Sequence, residues 1–291
     1  MSDALPAMGP LDVGRIRVTN VVEWYGPTRP SWVLPEATRE TVEAHRSWLA
    51  PHFLDERGRF LMSIHCFVLQ APGLTALVDT CVGNDKPREN PGWNQLRTDF
   101  LERLAAAGFP PESIDLVLCT HLHVDHVGWN TRLVNGRWAP TFPRARYVFA
   151  RKEWEHWSAV QDGEYARVYA DSVQPVVDAG RVDLVDGDHE ISEEIRLEPT
   201  PGHTPGHVSV RLSSRGREAV ITGDLMHHPI QCGEPGLRSG FDTDAEAARA
   251  TRRAFCARYA DRDVAVLGTH FGAPTAGRIA AAGGAWQFRV S

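Results

Sequence analysis

The segment Cys119-Thr-His-Leu-His-Val-Asp-His-Val-Gly-Trp-Asn130 constrains this chain more than any other, because it sets His121, His123, Asp125 and His126 within six residues. The apolar run Ile114 to Leu118 just before it has the length of a buried strand. Alternate side chains at a strand end face one way, so His121 and His123 share a direction. Asp125 and His126 follow the turn and approach from another. Imidazole and carboxylate are the donors that borderline divalent metals such as zinc favour. The competing reading, a histidine-rich surface loop without a metal, does not account for four donors packed behind a hydrophobic strand.

Four donors are too few to close two coordination spheres, so partners are expected elsewhere. The turn Pro199-Thr-Pro-Gly-His203-Thr-Pro-Gly-His207 follows a strand expected over Ile195 to Glu198. Ala219-Val-Ile-Thr-Gly-Asp224 is a second apolar run ending at a carboxylate, and Val264-Ala-Val-Leu-Gly-Thr-His270 ends at an imidazole. Strand ends gathered at one edge of a sheet are where open α/β folds place their sites.

The ordered set His-x-His-x-Asp-His, Thr-Pro-Gly-His-Thr-Pro-Gly-His, Gly-Asp and a late His resembles the metallo-β-lactamase-fold hydrolases, over about Asp79 to His270. The resemblance implies an α/β fold of the four-layer αββα sandwich type. It implies His121, His123 and His203 on one metal ion, Asp125, His126 and His270 on a second, and Asp224 bridging them. Asp79, at the end of Thr75-Ala-Leu-Val-Asp79, matches the early strand-end aspartate that orients a ligand from behind. Two divalent ions, most naturally zinc but also manganese, iron or cobalt, can share a hydroxide as nucleophile while one polarises the bond under attack. Asp125 is the candidate to carry the proton to the leaving group. No Gly-x-Ser-x-Gly elbow competes with this scheme.

Composition narrows the partners. The net charge of −6 offers no basic field for a phosphate backbone, which argues against nucleic acid. No window is apolar enough to span a membrane, and the N-terminus does not read as a signal peptide. Five cysteines without a CxxC pair point to a reduced, cytoplasmic chain, with Cys119 a small buried residue rather than a ligand. The expected organisation is a flexible tail over 1–14 and one domain over 15–291. Related hydrolases often pair as homodimers.

Strands are expected over Arg15 to Glu23, Phe60 to Gln70, Leu74 to Val78, Arg144 to Ala150, Val208 to Leu212 and Ala219 to Thr222. Helices are expected over Glu36 to Leu49, Gln95 to Ala107, Lys152 to Ala159, Glu164 to Val177 and Thr243 to Tyr259, with a short one opening at Val127. Trp24 to Trp32, broken by two prolines and a glycine, reads as a loop folded over a pocket; Trp24, Trp32 and Trp129 are its candidate lining. The alternative is that these aromatics pack on the core. His207 is expected to be structural and His65 a core histidine. One of His227 and His228 is expected to face the site.

Asp224 departs from true β-lactamases, the acidic balance from ribonuclease-type relatives, and the C-terminus from thioesterase-type ones. Gly223-Asp-Leu-Met-His-His228 and the closing Ala285-Trp-Gln-Phe-Arg-Val290 resemble methyl parathion hydrolase-like proteins, and the ligand set also that of quorum-quenching lactonases. The latter place a tyrosine shortly after the bridging aspartate, where this chain has Leu-Met-His-His. The expected function is hydrolysis of a small apolar ester, lactone or phosphotriester. The alternatives are hydrolytic dehalogenation of haloaromatics and a non-catalytic metal-binding scaffold.

Overall fold

The computed structural model describes residues 5–290, a mixed α/β chain with two seven-stranded sheets. The first sheet runs, in spatial order, Leu11–Val13, Ile16–Thr28, Phe60–Ala71, Leu74–Val78, Leu116–Leu118, Arg146–Ala150 and Val182–Val185. Its last four strands are mutually parallel. Leu116, Val117 and Leu118, and Tyr147 to Ala150, are accordingly buried without alternation, as strands covered on both faces must be. The second sheet runs Glu190–Ser192, Ile195–Pro199, Val208–Ser214, Arg217–Ile221, Val264–Leu267, Ala276–Ala282 and Ala285–Val290. Its one parallel pair, Arg217–Ile221 with Val264–Leu267, is joined through the helix Ala245–Tyr259, since parallel strands need a long crossover.

The chain divides into two compact units. Among the described residues, one comprises Pro10–Glu23 and Ile64–Gly187; the other comprises residues 5–9, Trp24–Ser63 and residues 188–290. The second unit is centred on a cluster of buried rings, Phe53, Phe60, Phe271 and Phe288, with Phe53 meeting Phe271 and Phe288 edge-on.

Several elements depart from the sequence reading. The tail expected over 1–14 lies partly outside the described residues; its end is ordered, because Leu11–Val13 pairs with Ile16–Val18 around a turn at Gly14. Trp24 to Thr28 continue the strand that begins at Ile16, so the expected pocket loop reduces to the short helix Pro30–Val33. Trp24 packs against the hydrophobic core. The helix expected over 36–49 splits at His45 into Arg39–Ala44, capped by Thr38 Oγ1 on the Thr41 N–H, and Arg46–Leu49. The helix expected from Gln95 begins at Phe100, after Gln95 adopts a φ of 54°. The hairpin Thr131–Val134/Arg137–Pro140 has no counterpart among the expected elements.

One buried charge cluster holds the first unit's irregular segments. Asp171, in the π-helical turn Tyr169–Val173, receives both arms of Arg88 at 2.7 and 2.8 Å. Lys86 Nζ lies 3.5 Å from the same carboxylate, 2.8 Å from Thr131 Oγ1, and 3.7 Å from the centroid of the Trp138 ring. Burial pushes the Lys86 amine down to about 8. This cluster ties segment 84–98, the 131–140 hairpin and the π turn together without a regular ladder.

Candidate metal centre

In the first unit the strands Leu74–Val78 and Leu116–Leu118 lie side by side and parallel, so the residues leaving their ends emerge together. Asp79 leaves one end with a φ of 60°, a conformation that costs an L residue free energy unless its surroundings hold it. They do: its carboxylate accepts from the Thr120 N–H (2.8 Å) and hydroxyl, and from His126 Nδ1 at 2.9 Å. His121, His123 and His126 are buried, and Asp125 is partly so. The His121 ring lies 4.6 Å from that of His123 and 4.0 Å from that of His126, centroid to centroid, and His121 Nδ1 is 3.0 Å from the Thr120 hydroxyl. Asp125 Oδ1 is 3.6 Å from His126 Nε2. Close backbone approach fixes the far end of this loop. A Cβ on Gly128 would stand 1.8 Å from the Val82 carbonyl oxygen, so only glycine fits there.

The second unit supplies a second set. Gly223, with φ 56°, turns the chain out of the strand Arg217–Ile221 and delivers Asp224. The Asp224 N–H donates to His207 Nε2 at 2.8 Å, so His207 carries its proton on Nδ1, which lies 3.1 Å from the Thr200 carbonyl. Both nitrogens of His207 are thereby engaged in holding the turn. Three imidazoles surround the Asp224 carboxylate: His270 Nε2 at 3.1 Å, His227 Nε2 at 3.2 Å and His203 Nε2 at 3.4 Å.

The donor chemistry in both units suits a divalent metal, and the histidine and aspartate groupings able to hold one comprise His121, His123, Asp125, His126, His203, Asp224 and His270. Four of the five histidines have Nδ1 occupied from behind. His126 is backed by Asp79, His203 by Asp242 at 3.0 Å, His270 by the Ser63 carbonyl at 3.0 Å, and His121 by Thr120. Acceptors at Nδ1 place the proton there and leave Nε2 with a lone pair, the arrangement that fixes the tautomer and angle of a metal-ligating imidazole.

His227 and His228 part company. His228 stacks on Phe60 at 3.7 Å between centroids, and its Nε2 lies 2.9 Å from the Phe53 carbonyl, so it belongs to the core. His227 lies beside Asp224, with Nε2 also 3.3 Å from the Ser239 hydroxyl. Burial pushes the His228 imidazole down to about 3. The unfolded chain takes up that proton near its ordinary value of about 6.5, the folded chain only near the lower one. Stability is therefore unaffected above about 6.5 and falls as the pH drops below it, by on the order of 1.4 kcal/mol per pH unit for this residue. Urea unfolding between pH 7.5 and 5 should show this slope in the wild type and a shallower one in His228→Gln. Equal slopes would mean that the folded core accepts the proton.

Of the tryptophans expected at a pocket, Trp129 is buried: its indole N–H donates to Glu23 at 2.6 Å and its ring stacks on Phe100. An indole with a buried carboxylate in reach is worth more as a brace under the metal loop than exposed. Trp32 is 45% exposed and meets Phe241 edge-on at 5.2 Å, and Phe241 in turn reaches the His227 ring at 6.1 Å.

Other supporting residues escaped the sequence reading. Buried Glu153 accepts from the Leu122 N–H (3.2 Å) and the Trp157 indole (2.8 Å), while Trp157 and Tyr165 flank the His123 ring. Trp157 and Tyr165 lie on the helices expected over Lys152 to Ala159 and Glu164 to Val177, and the sequence leaves open whether such rings shape a pocket or only form the apolar faces of surface helices. Asp242 stands just before the helix expected over Thr243 to Tyr259, where a polar residue signals a helix start and nothing about a metal ligand. Arg252, fully buried, donates to the carbonyls of Leu225, Pro235 and Leu237 and so shapes the segment bearing His227. Cys119 is buried with its sulfur near Asn130, and all five cysteines are free and buried. His65 is buried against Phe67.

Comparison with known proteins agrees with this architecture. An N-acyl homoserine lactonase of a Bacillus species is 29% identical over 142 residues, 48% of this chain and 50% of the relative. The chain thus spans about half the length of the curated lactonase it matches. A probable metallo-hydrolase of Mycobacterium tuberculosis is 26% identical over 221 residues, 67% of this chain and 66% of the relative. Among solved structures, the hydrolase AbOPH in the beta lactamase superfamily superposes with a TM-score of 0.81 at 21% identity, covering 100% of this chain and 99% of that one. AidC, a dizinc quorum-quenching lactonase in complex with a product homoserine, does so with a TM-score of 0.81 at 20% identity, covering 99% of each chain. These likenesses show the fold. Residues 59–270 match the pattern of the metallo-beta-lactamase superfamily, and on that match and this fold the chain belongs to the metallo-beta-lactamase superfamily.

Proposed function

We propose that the chain is a dinuclear metallohydrolase of small apolar esters, lactones or phosphotriesters. In this reading His121, His123 and His203 hold one divalent ion, Asp125, His126 and His270 hold the other, and Asp224 is shared. The observation that carries it is the set of Nδ1 acceptors behind His121, His126, His203 and His270, which orient Nε2 as a ligand. Zinc is the proposed metal, in line with the dizinc relative. Bound there, two such ions supply Lewis acidity and a water ready to attack near neutral pH.

The chain's own residues do the rest. Asp125, partly exposed beside His126, is placed to take a proton and pass it to the leaving group. Asp79 and Asp242 hold the imidazoles of His126 and His203 in register. His227 is the candidate to donate to a substrate oxygen, and Trp32 with Phe241 offers the apolar surface on which an acyl or aryl group rests. The lactonase relatives favour a lactone, while Leu225-Met-His-His228 after Asp224 favours a different oxygen contact from the tyrosine of standard lactonases. Five free, buried cysteines suit a reducing cytoplasm. A small molecule is the expected partner, and a homodimer is compatible with this reading.

Proton release by zinc- or manganese-loaded protein against lactones, aryl esters and phosphotriesters tests the proposal. Saturable release from one class supports it and names the chemistry. Silence across all three with two metals bound per chain would sink it, and chloride release from chloroaromatics would replace it with dehalogenation.

A further inference from the structure

The second unit contains a cavity of about 480 Å³ whose rim carries arginines 29, 39, 46, 57 and 59 against two carboxylates, Glu43 and Glu56. A local excess of positive charge stands out on a chain whose net charge is −6. None of the proposed metal donors lines it. Two of the arginines are already committed. Arg46 Nε donates to both oxygens of Glu43 at 2.8 and 2.9 Å, and Arg59 pairs with Asp55 at 2.7 Å. Among the described residues, Arg29, Arg39 and Arg57 enter no ion pair within 4.0 Å.

The three come from separate elements, each held locally. Arg57 and Arg59 flank Gly58, whose φ of 74° makes the turn, and the Asp55 carboxylate accepts both their N–H groups at 2.9 and 2.8 Å. Arg39 opens the helix that Thr38 caps, and Arg29 immediately precedes the Pro30 helix. The Glu40 carboxyl is lowered first by its own backbone N–H and also by nearby Arg39, and Glu56 shares the rim, but none of the three guanidinium heads is taken up in a close pair, so all three can turn toward one anion in the hollow. Their planar, multi-donor heads pair with carboxylate and phosphate oxygens alike, and three heads around one ligand suit the tetrahedral, doubly charged phosphate group better than a planar, singly charged carboxylate. The volume falls within the range of small-molecule sites, roughly 300–1,000 Å³.

We propose that this cavity binds a small phosphorylated anion carrying at least two negative charges. The site is separate from the metal centre and does not depend on the hydrolase reading. The test is titration calorimetry on the metal-loaded full chain, with inorganic phosphate, pyrophosphate and adenosine monophosphate as probes. Three proteins are compared: the wild type, the double variant Arg39→Ala/Arg57→Ala, and a control, Arg215→Ala/Arg217→Ala, which removes the same charge from an exposed turn and the strand end beside it. Arg39 and Arg57 are exposed and unpaired, so the variant should fold, and circular dichroism checks that it does.

The expected result is saturable binding that weakens by about tenfold or more in the first double variant and by less than about twofold in the control. Stronger binding of adenosine monophosphate than of pyrophosphate assigns a nucleotide-like ligand; the reverse order assigns a simple phosphate. Three results would overturn the proposal. The first is no binding of any probe, and the second is equal weakening in both double variants, which means diffuse charge. The third is binding that both variants retain but metal removal abolishes, which places the anion on the metal centre.

Discussion

Replacing Asp224 by alanine is expected to remove bound metal and turnover together. The residue is buried, its carboxylate is ringed by three imidazole Nε2 atoms at 3.1–3.4 Å, and its backbone is clamped by His207. Asp242, the nearest acid in that segment among the described residues, is already engaged by His203 Nδ1 and the Ser239 N–H. Loss of a residue merely supporting a metal ligand typically costs about 10–100-fold in affinity or activity, so loss of a shared ligand should exceed about a hundredfold. Elemental analysis should find fewer than two ions per chain, with activity falling in parallel. A variant that keeps both ions and turns over normally would refute the shared role of Asp224 and the ligand scheme with it.

The largest expected effect on stability lies elsewhere, at Asp171. Its carboxylate is 7% exposed and sits against two cationic side chains, Arg88 and Lys86, that are fully buried. Asp171→Ala would leave both cations without their shared counter-charge, and Arg88 without the acceptor for its two-pronged bond. Breaking a buried pair in this way costs about 3–5 kcal/mol, a large part of the stability of an ordinary domain. Lys86, already pushed down to about 8 by burial, would shed its proton more readily still, which softens the penalty at alkaline pH. Chemical unfolding at pH 7 measures the loss. A change below about 1 kcal/mol would mean that water reaches the cluster and screens it.

Some of this architecture is legible in the sequence because it is local. The strands that end in Asp79, the histidine cluster, Asp224 and His270 announce themselves as short β-branched runs followed by a donor, and spacing along a strand is a matter of two residues at a time. The helix Ala245–Tyr259 is similarly evident, beginning two residues after its expected start at Thr243; its cap is Asp244, whose side chain accepts from the N–H groups of Glu246 and Ala247. Where local signals conflict, the reading fails. Gln95 to Asp99 share the helical spacing that follows them, yet the positive φ at Gln95 and the bond from its N–H to the Lys86 carbonyl pull them into a loop. Trp24 to Thr28 look like a loop because of Gly26 and Pro27, yet sheet pairing carries the strand through them.

By itself, then, the sequence determined which side chains can serve as metal donors and that each follows a strand, because donor chemistry and strand length are properties of a few neighbouring residues. Only the tertiary structure decided which groups stand behind those donors. Asp242, Ser63 and Glu153 are 39, 207 and 31 positions from the partners they engage, His203, His270 and Leu122. It also decided that Trp129 braces a loop from beneath and that His228 belongs to the core while its neighbour faces Asp224. Those assignments depend on which way a side chain turns once distant segments pack around it, and no periodicity along the chain encodes that direction.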